Sequence, residues 1–459
     1  MVSSTYREES DSLGKINVPA DAYHGAQTQR ALDHFNITRT RFSPVFIGHI
    51  ALIKKYAARV NRALGLIDAE KAAAIEKAAG EVIEGRFDDS FLLDVYQSGS
   101  GTNTNMNVNE VVATRANEII TGNRRTLFPV HPNDHVNRCQ SSNDVFPSAI
   151  RITALAMINS SLLPGLRDLQ GALEDKARAF SHIKKIGRTH LQDAVVMTLG
   201  EEFSGYARQA ELAIKRLEPA QEGMLALPLG GTAVGTGINA HADFAAQVID
   251  AIAAHTGVDF FEADNHFEAQ ACMDAEVALM GALTATAVGI TRIANDIRWL
   301  ASGPRCGIGE INLPPIAPGS SIMPGKVNPI ICEAAIQSAA QVMGYDAAVS
   351  HGGTGGVFEI NLMQPMIAHN LFSAIELLSG SASLLAGKCI SGITANEARC
   401  EADVKNSLAI VTGLVPYIGY DRAAEIAKMA YESDISIEAA AIRENVLPED
   451  VLMKALYGE

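Results

Sequence analysis

One loop of the chain, residues 318–329, brings together glycines, two hydroxyls, a lysine and an amide. Gly319 and Gly325 permit backbone conformations that are closed to other residues, so main-chain N–H groups can turn towards a ligand. Lys326 adds a positive charge to the same loop. A loop of this composition is more often an ordinary surface loop. Together, however, these groups are suited to binding an anion.

The residues that follow the loop predict a helix that begins there. Asn328 is a candidate N-cap, Pro329 suits the first helical position, and residues 330–343 form an apolar run. The unpaired N–H groups at a helix N-terminus favour a carboxylate or a phosphate. The loop and the helix therefore predict one anion site.

Three other segments rich in short polar side chains accompany this loop along the chain. They are residues 97–107, residues 132–144 and residues 187–194. Together with the loop, they make the chain resemble the fumarase/aspartase superfamily, and it is most similar to the class II fumarases. The resemblance extends from about Tyr6 to the segment 418–421.

The resemblance implies an all-α fold of the fumarase/aspartase type, with three domains and a long central helical bundle that forms a tetrameric helical core. We expect a mainly helical N-terminal domain at residues 1–139, a central bundle of long helices at residues 140–391 and a small C-terminal helical domain at residues 392–459. The resemblance also implies a homotetramer whose active sites are shared between subunits.

The periodicity of the chain agrees with long helices. Apolar residues recur at helical spacing between Tyr206 and Leu217, with charged residues on the other face. Residues 267–302 contain no proline and are apolar or small all round in their middle, which predicts a helix buried on every side. One subunit could hardly bury it, so we expect such helices to pack against their equivalents in other subunits.

A lyase that acts on a dicarboxylate removes a proton from a carbon next to a carboxylate, which creates a dianionic aci-carboxylate. Its site therefore needs hydrogen-bond donors directed at that group. Lys326 and Asn328 fit this role. Taken singly, a serine or threonine in such segments is more often a turn or cap residue. The further donors that the resemblance places at the substrate are Ser100, Thr102, Ser141, Ser142, Asn143, Thr189 and Ser321.

The resemblance assigns the catalytic roles to four residues. Ser320 is expected to be the base that removes the carbon proton, and it then needs stabilisation as an alkoxide by Lys326 and by the backbone N–H groups of its loop. His190 is expected to assist the departing hydroxide, which is a poor leaving group. Glu333 is expected to pair with His190 and to raise the pKa of that histidine. Ser321 is expected mainly to support the loop.

The resemblance also gives a candidate second anion site at His131, Asn133 and Asp134. Phe128 stands three residues before His131, where an arginine often contributes to that site in the family. The sequence therefore leaves open whether the second site works.

Neither a metal nor an organic cofactor is expected. His131 and His135 lie four residues apart, but Pro132 argues against a shared helix face and the zincin glutamate is absent. Residues 235–240 loosely fit a dinucleotide fingerprint, yet no strand pattern precedes them, so they are expected to connect helices.

Composition and charge restrict the partners and the location. The net charge of −15 argues against binding to nucleic acid or to an anionic membrane. The six cysteines do not form a secreted disulfide pattern, so we expect reduced thiols. The start of the chain lacks targeting features, and the longest charge-free apolar stretch, residues 277–291, is too short to cross a bilayer. We therefore expect a cytoplasmic protein.

The sequence thus predicts a homotetrameric hydro-lyase of the class II fumarase type, which interconverts the small molecules fumarate and (S)-malate in the tricarboxylic acid cycle. An ammonia-lyase acting on aspartate is the nearest alternative, because His190 and the pair Ile330 and Ile331 are also compatible with aspartases. A non-catalytic structural protein on the same scaffold is a more remote one. Activity on analogues such as citramalate or mesaconate, and the physiological direction, are left open.

Overall fold

The structure, a computed structural model, describes residues 6–124 and 126–457. These residues form α-helices joined by loops and short paired strands, which confirms the predicted all-α fold. The α-helices in these ranges are α1 Ala26–His34, α2 Pro44–Ala63, α3 Ala69–Ile83, α4 Thr102–Thr121, α5 Ser142–Met157, α6 Leu163–Ala179, α7 Leu199–Glu222, α8 Phe244–Thr256, α9 His266–Ala271, α10 Asp274–Leu300, α11 Ile330–Gly353, α12 Gln364–Leu384, α13 Glu397–Asn406, α14 Val415–Ile418, α15 Tyr420–Ser433, α16 Ile437–Arg443 and α17 Glu449–Tyr457.

The strands are short, and within the described residues each sheet has only two of them. The strands are β1 Tyr6–Asp11, β2 Gly14–Pro19, β3 Lys184–Thr189, β4 Gln192–Thr198, β5 Ala226–Leu227, β6 Phe261–Glu262, β7 Ile311–Asn312, β8 Gly356–Val357, β9 Ile360–Asn361 and β10 Thr394–Ala395. Strands β1 and β2, β3 and β4, β7 and β10, and β8 and β9 pair antiparallel, whereas β5 and β6 pair parallel.

The described residues group into two compact units, each built from three separated stretches of chain. Unit 1 holds the described residues of Met1–Leu162, Lys215–Ala285 and Ala340–Leu378. Unit 2 holds those of Leu163–Ile214, Thr286–Ala339 and Ser379–Glu459. The domain boundaries after residues 139 and 391 stay a prediction.

Helix α2 runs through the interior of unit 1 and packs against α3, α4, α5 and α8. It begins at Pro44, after Ser43, whose side chain accepts a hydrogen bond from the N–H of Phe46. Its fully buried residues are mostly apolar, but they include Lys54 and Asn61. A lysine therefore lies inside the core of this unit.

The prediction of one uninterrupted helix at residues 267–302 is wrong, because α9 ends before residues 272–273 and α10 begins after them. Within one chain Val288 of α10 is 53% exposed, so burial of this helix on every side by other subunits stays a prediction. By length and composition alone, α10 and the stretch Ser142–Ala179 could cross a membrane. The charge-free stretch at residues 277–291 is thus shorter than the apolar helix α10 that contains it. Half or more of each apolar window is buried inside the chain, as in the core helices of soluble proteins.

The C-terminal helices of unit 2 enclose an apolar cluster that reaches strand β3. Ile186 of β3 packs with Ile410, Leu414 and Ile426 in this cluster. The cluster thereby holds one strand of the hairpin β3–β4, which carries Thr189 at its end. All six cysteines are free thiols in this structure.

Candidate active site

Ser320 lies in a turn of the loop at residues 318–329, and its side-chain oxygen accepts two backbone hydrogen bonds. The N–H groups of Ile322 and Met323 donate to Ser320 Oγ over 3.3 and 3.1 Å. Both donors favour negative charge on that oxygen over a neutral hydroxyl. The local fold thus supplies the backbone stabilisation that a serine base needs.

Contacts around Gly319 close this loop at its base. The N–H of Gly319 donates to the carbonyl of Lys326 over 2.9 Å, and Asn328 Nδ2 donates to the carbonyl of Gly319 over 2.6 Å. A Cβ on Gly319 would lie 2.3 Å from the carbonyl oxygen of Lys326, so this close approach requires a glycine. The two ends of the loop are therefore held together.

The predicted N-cap role of Asn328 is wrong. Helix α11 begins at Ile330, and the N–H of Glu333 donates to the carbonyl of Pro329, which places the cap position at Pro329. The side chain of Asn328 closes the loop instead, because its amide reaches back to Gly319.

Lys326 lines two clefts of unit 2. It shares a cleft of about 440 Å³ with Ser320, and it shares another of about 610 Å³ with Asn328 and Arg298. Lys326 forms no ion pair with any residue in the part of the chain that the structure describes. Its exposed ammonium group is therefore available to an anion.

Thr189 and His190 lie at the tip of the β3–β4 hairpin, where both are exposed. His190 and Leu191 form the two-residue turn, with φ angles of 57° and 61°. Turns of this kind need positive φ at both positions and usually contain glycine or asparagine. A histidine and a leucine are held there at a conformational cost. The hairpin thus presents the imidazole to the outside of the chain.

Buried ion pairs anchor the base of this hairpin. Glu310 is 0% exposed, and its carboxylate accepts a hydrogen bond from Arg188 over 2.8 Å. Lys185 Nζ lies 3.2 Å from the same carboxylate and 2.6 Å from that of Glu202. Because Arg188 is two residues before His190, these contacts restrict the position of the turn.

His190 and Glu333 do not pair within one chain. Among residues 6–124 and 126–457, no hydrogen bond or ion pair joins their side chains, and Glu333 is exposed at the start of α11. Ser321 is exposed as well. The pairing of His190 with Glu333 stays a prediction.

In unit 1, Ser100 and Thr102 lie together at the start of α4. Their hydroxyl oxygens are 2.8 Å apart. Gly101, between them, has a φ of 72°, and a Cβ there would lie 2.2 Å from the ring of Phe146. Both observations require a glycine at this turn. The turn therefore brings two of the predicted donors side by side.

Ser141, Ser142 and Asn143 form the start of α5, also in unit 1. Ser141 is the N-cap and forms a capping box with Asp144. Asn105 Nδ2 donates to Ser142 Oγ over 3.0 Å. The side chain of Asn143 donates to a backbone carbonyl over 2.8 Å. The local fold gathers these three predicted donors at one helix start.

Asp144 ties this helix start to a neighbouring loop. Its buried carboxylate accepts hydrogen bonds from the N–H groups of Ser141, Gly230 and Thr232. Burial raises the pKa of Asp144 to about 6, although these donors act in the opposite direction. The carboxylate is therefore structural, and it fixes the helix start from inside the unit.

Lys54, which belongs to none of the sequence motifs above, lies behind the same helix start. Burial lowers the pKa of its ammonium group to about 7. Lys54 shares the buried face of α2 with Ile47, Ile50 and Asn61, at helical spacing. A lysine within such an apolar face was the signal that could have revealed it.

The candidate second anion site belongs to a separate cleft of unit 1, of about 540 Å³. His131 lines it, and His131 Nδ1 accepts hydrogen bonds from the N–H groups of Asn133 and Asp134. Phe128, which is 69% exposed, lines it too. The carboxylates that line the cleft are those of Glu9, Asp11 and Glu110. Among the described residues, no lysine or arginine lines this cleft. The second anion site therefore stays a prediction, and no permanent positive charge supports it.

The fold is helical, and one of its loops directs two backbone N–H groups at the side-chain oxygen of Ser320, close in the chain to Lys326. The family described as Lyase matches residues 14–344, and the family described as Fumarase C C-terminus matches residues 410–457. A protein of Nitrosomonas europaea named fumarate hydratase class II is 52% identical over 438 residues, covering 95% of each chain. One of the same name from Thermosynechococcus vestitus is 51% identical over 458 residues, covering 99% of this chain and 98% of the other. The crystal structure of a class II fumarase from Schistosoma mansoni has a TM-score of 0.95 at 39% identity and covers 98% of both chains.

The chain belongs to the class II fumarases of the fumarase/aspartase superfamily. It is therefore an enzyme of the lyase class that acts on a small molecule.

Proposed function

We propose that the protein is a fumarate hydratase, which interconverts fumarate and (S)-malate through an aci-carboxylate intermediate. The observation that carries the proposal is the pair of backbone N–H groups that point at Ser320 Oγ, 3.1 and 3.3 Å away. This arrangement favours the alkoxide that a carbon base requires. The similarity to proteins named fumarate hydratase class II, at about half identity over nearly the whole chain, supports the same conclusion.

In the direction of dehydration, Ser320 removes a proton from the carbon next to one carboxylate of malate. Negative charge then accumulates on that carboxylate, which becomes the dianionic aci-form. Lys326 supplies an ammonium group without a protein partner in the described residues, and Asn328 supplies the amide N–H that Gly319 does not use. These donors stabilise the developing charge, which lowers the barrier to proton removal.

The departing oxygen needs an acid, because hydroxide is a poor leaving group. His190 fits this role, since its turn presents the imidazole outwards and the ion pairs of Glu310 hold the base of the hairpin. The further donors that we propose for the substrate are Ser100, Thr102, Ser141, Ser142, Asn143, Thr189 and Ser321. The proposed mechanism uses neither a metal nor an organic cofactor.

We propose that the sites are shared between subunits of a homotetramer. Apolar side chains are exposed on three of the longest helices, namely Val288 on α10, Met343 on α11 and Leu384 on α12. Equivalent helices of other subunits would cover them. Sharing would also give His190 and Glu333 a way to meet, since they do not pair within one chain. A cytoplasmic location and a place in the tricarboxylic acid cycle belong to the same proposal.

The experiment that tests the function follows the ultraviolet absorbance of the conjugated diacid. The purified protein is incubated separately with (S)-malate and with aspartate, and we expect absorbance to rise with malate. A rise with aspartate alone, accompanied by release of ammonia, would instead establish an aspartate ammonia-lyase. No reaction with either compound, or with fumarate, would favour a structural role on this scaffold.

A further inference from the structure

Gln270 is a fully buried glutamine of helix α9 that lies against a loop of unit 1. It is 0% exposed, and its side-chain nitrogen donates to the carbonyl of Thr232 over 2.8 Å. Its side-chain oxygen is buried without a hydrogen-bond partner among the described residues. An unpaired buried acceptor costs free energy that an apolar side chain of similar length would avoid. The hydrogen bond to Thr232 therefore calls for a role other than packing.

Thr232 is held in a strained backbone conformation. Its φ is 56°, in the left-handed region that a β-branched residue rarely adopts. Its N–H donates to the buried carboxylate of Asp144 over 3.0 Å, and its carbonyl accepts from Gln270. Because the N–H is fixed by Asp144, a rotation about φ that relieves the strain must swing the carbonyl. The hydrogen bond from Gln270 opposes this movement.

The next carbonyl along the chain reaches a proposed substrate donor. The carbonyl of Ala233 accepts a hydrogen bond from Asn143 Nδ2 over 2.8 Å. Among the described residues, only two hydrogen bonds hold the chain between the N–H of Thr232 and the N–H of Gly235. They come from the side-chain amides of Gln270 and Asn143. The direction of the Ala233 carbonyl therefore depends on the conformation of Thr232, which Gln270 maintains.

The carbonyl of Ala233 decides which way the side-chain amide of Asn143 faces. A carbonyl only accepts hydrogen bonds, so it keeps the nitrogen of the amide, and not its oxygen, on its own side. Among the described residues, no other hydrogen bond is made by this side chain. The nitrogen carries two N–H groups, and only one of them is used by Ala233. The second N–H remains available to a carboxylate, which can only accept.

We propose that Gln270 is a positioning residue that holds the peptide of Thr232 and thereby orients Asn143 as a donor to the substrate. The proposal rests on the proposed function, in which the substrate is a dicarboxylate and Asn143 is one of its donors. Without the amide of Gln270, Thr232 can leave the left-handed region, and the carbonyl of Ala233 turns away. The amide of Asn143 then loses its acceptor and can present either its nitrogen or its oxygen to the anion.

The test is a double-mutant cycle between Gln270 and Asn143. We expect Asn143→Ala to lower kcat/KM for fumarate by about tenfold to a hundredfold, the range for losing a hydrogen bond to a charged group. Gln270→Met should lower it by at least about fivefold alone, but by less than about twofold in the Asn143→Ala background, because the group on which it acts is then absent. Equal factors in both backgrounds would mean that Gln270 acts only through the fold, which would overturn the proposal.

Two further variants guard against a loss of folding. Asparagine is similar in size to threonine and tolerates the left-handed region, so adding Thr232→Asn to Gln270→Met should restore most of the lost kcat/KM. No recovery would contradict the proposed link. Gln221→Met is the matched control, because the side-chain nitrogen of Gln221 also donates to a backbone carbonyl, over 3.1 Å, but within α7. It should keep wild-type kinetics, and a loss equal to that of Gln270→Met would refute the positioning role.

A binding measurement separates this proposal from the proposed function. If the wild type does not hydrate fumarate, the function fails, and the cycle is then read from calorimetric titration with succinate, an unreactive dicarboxylate. Coupling between Gln270 and Asn143 in succinate affinity would support the positioning role without catalysis. Additive effects on affinity, or a wild type that does not bind succinate, would refute it.

Discussion

The backbone N–H of Met323 donates a hydrogen bond of 3.1 Å to the side-chain oxygen of Ser320. A second N–H, from Ile322, approaches the same oxygen at 3.3 Å. Because these donors come from the turn that contains Ser320, the loop stabilises negative charge on the oxygen without help from another segment. Closure of the loop at Gly319 keeps the turn in this form.

Replacing Ser320 by alanine tests its role as the base. We expect kcat to fall by about 10² to 10⁴, the usual cost of losing a general base, while the fold and the thermal unfolding temperature stay unchanged. Steady-state kinetics with malate, followed by ultraviolet absorbance, measure the loss. Ser321→Ala removes the neighbouring hydroxyl and should cost much less. Near-normal turnover in Ser320→Ala would remove this serine from the mechanism.

The features that could be predicted from the sequence are those set by local chemistry. The helical class follows from apolar periodicity in segments such as Tyr206 to Leu217, which lie within α7. The loop at residues 318–329 could be recognised because its glycines, serines and lysine are adjacent in the chain. The structure then placed two N–H groups at Ser320, as an anion-stabilising loop requires.

The features that could not be predicted depend on tertiary contacts. Asparagine is a common N-cap residue, but the side chain of Asn328 donates a hydrogen bond to the nearby carbonyl of Gly319 instead. The position of Lys54 on an apolar helix face could be read from the sequence, but its acceptors, Asn137 and Gln140, are distant in sequence and meet it only in the folded unit. The positive φ of His190 could not be predicted either, because a histidine in the sequence does not indicate this conformation.

Replacing His190 by asparagine tests the acid. Asparagine tolerates the left-handed conformation that this position adopts, so the turn should survive while the imidazole is lost. We expect kcat for malate dehydration to fall by at least about 10², as for loss of a general acid. Leu191→Asn is the matched control, because it makes the same change at the other turn position and should retain the rate. Equal losses in both variants would point to the turn and not to the imidazole.

Glu310 is the residue whose loss should most weaken the base of the hairpin. Glu310→Gln leaves Arg188 and the 1%-exposed Lys185 without a shared buried carboxylate, and Lys185 keeps only Glu202. We expect a loss of about 3 kcal/mol in the free energy of unfolding, typical of breaking a buried ion pair. Urea unfolding at one fixed protein concentration measures it.

The control for Glu310 is Glu401→Gln, which breaks an exposed pair with Lys405 and should leave the urea midpoint unchanged. A Glu310→Gln midpoint equal to that of the wild type would mean that the buried carboxylate contributes nothing to stability. The anchoring role of the ion pairs would then be wrong.

Complementation between inactive chains tests whether the sites are shared. Ser320→Ala and His190→Asn chains are each expected to be nearly inactive alone. If one site takes Ser320 and His190 from different subunits, mixed tetramers will contain some sites with both native residues and will recover part of the activity. The mixture is unfolded and refolded together, and each variant refolded alone is the control. Failure to recover activity in proven mixed tetramers, together with active monomers, would contradict shared sites.

The choice between water and ammonia depends on His190 and Glu333. Hydroxide needs an acid in order to leave, whereas an ammonium group leaves without one, so a histidine acid benefits malate more than aspartate. A protonated imidazole next to a site that contains Lys326 would also repel the ammonium group of aspartate. Both effects favour malate, and we expect kcat/KM for malate to exceed that for aspartate by at least about a hundredfold, or about 3 kcal/mol in the transition state.

Parallel assays of absorbance and of released ammonia measure the ratio of the two kcat/KM values, and His190→Asn should reduce that ratio by slowing the reaction of malate more than that of aspartate. Release of ammonia from aspartate with no reaction of malate would replace the hydratase by an aspartate ammonia-lyase.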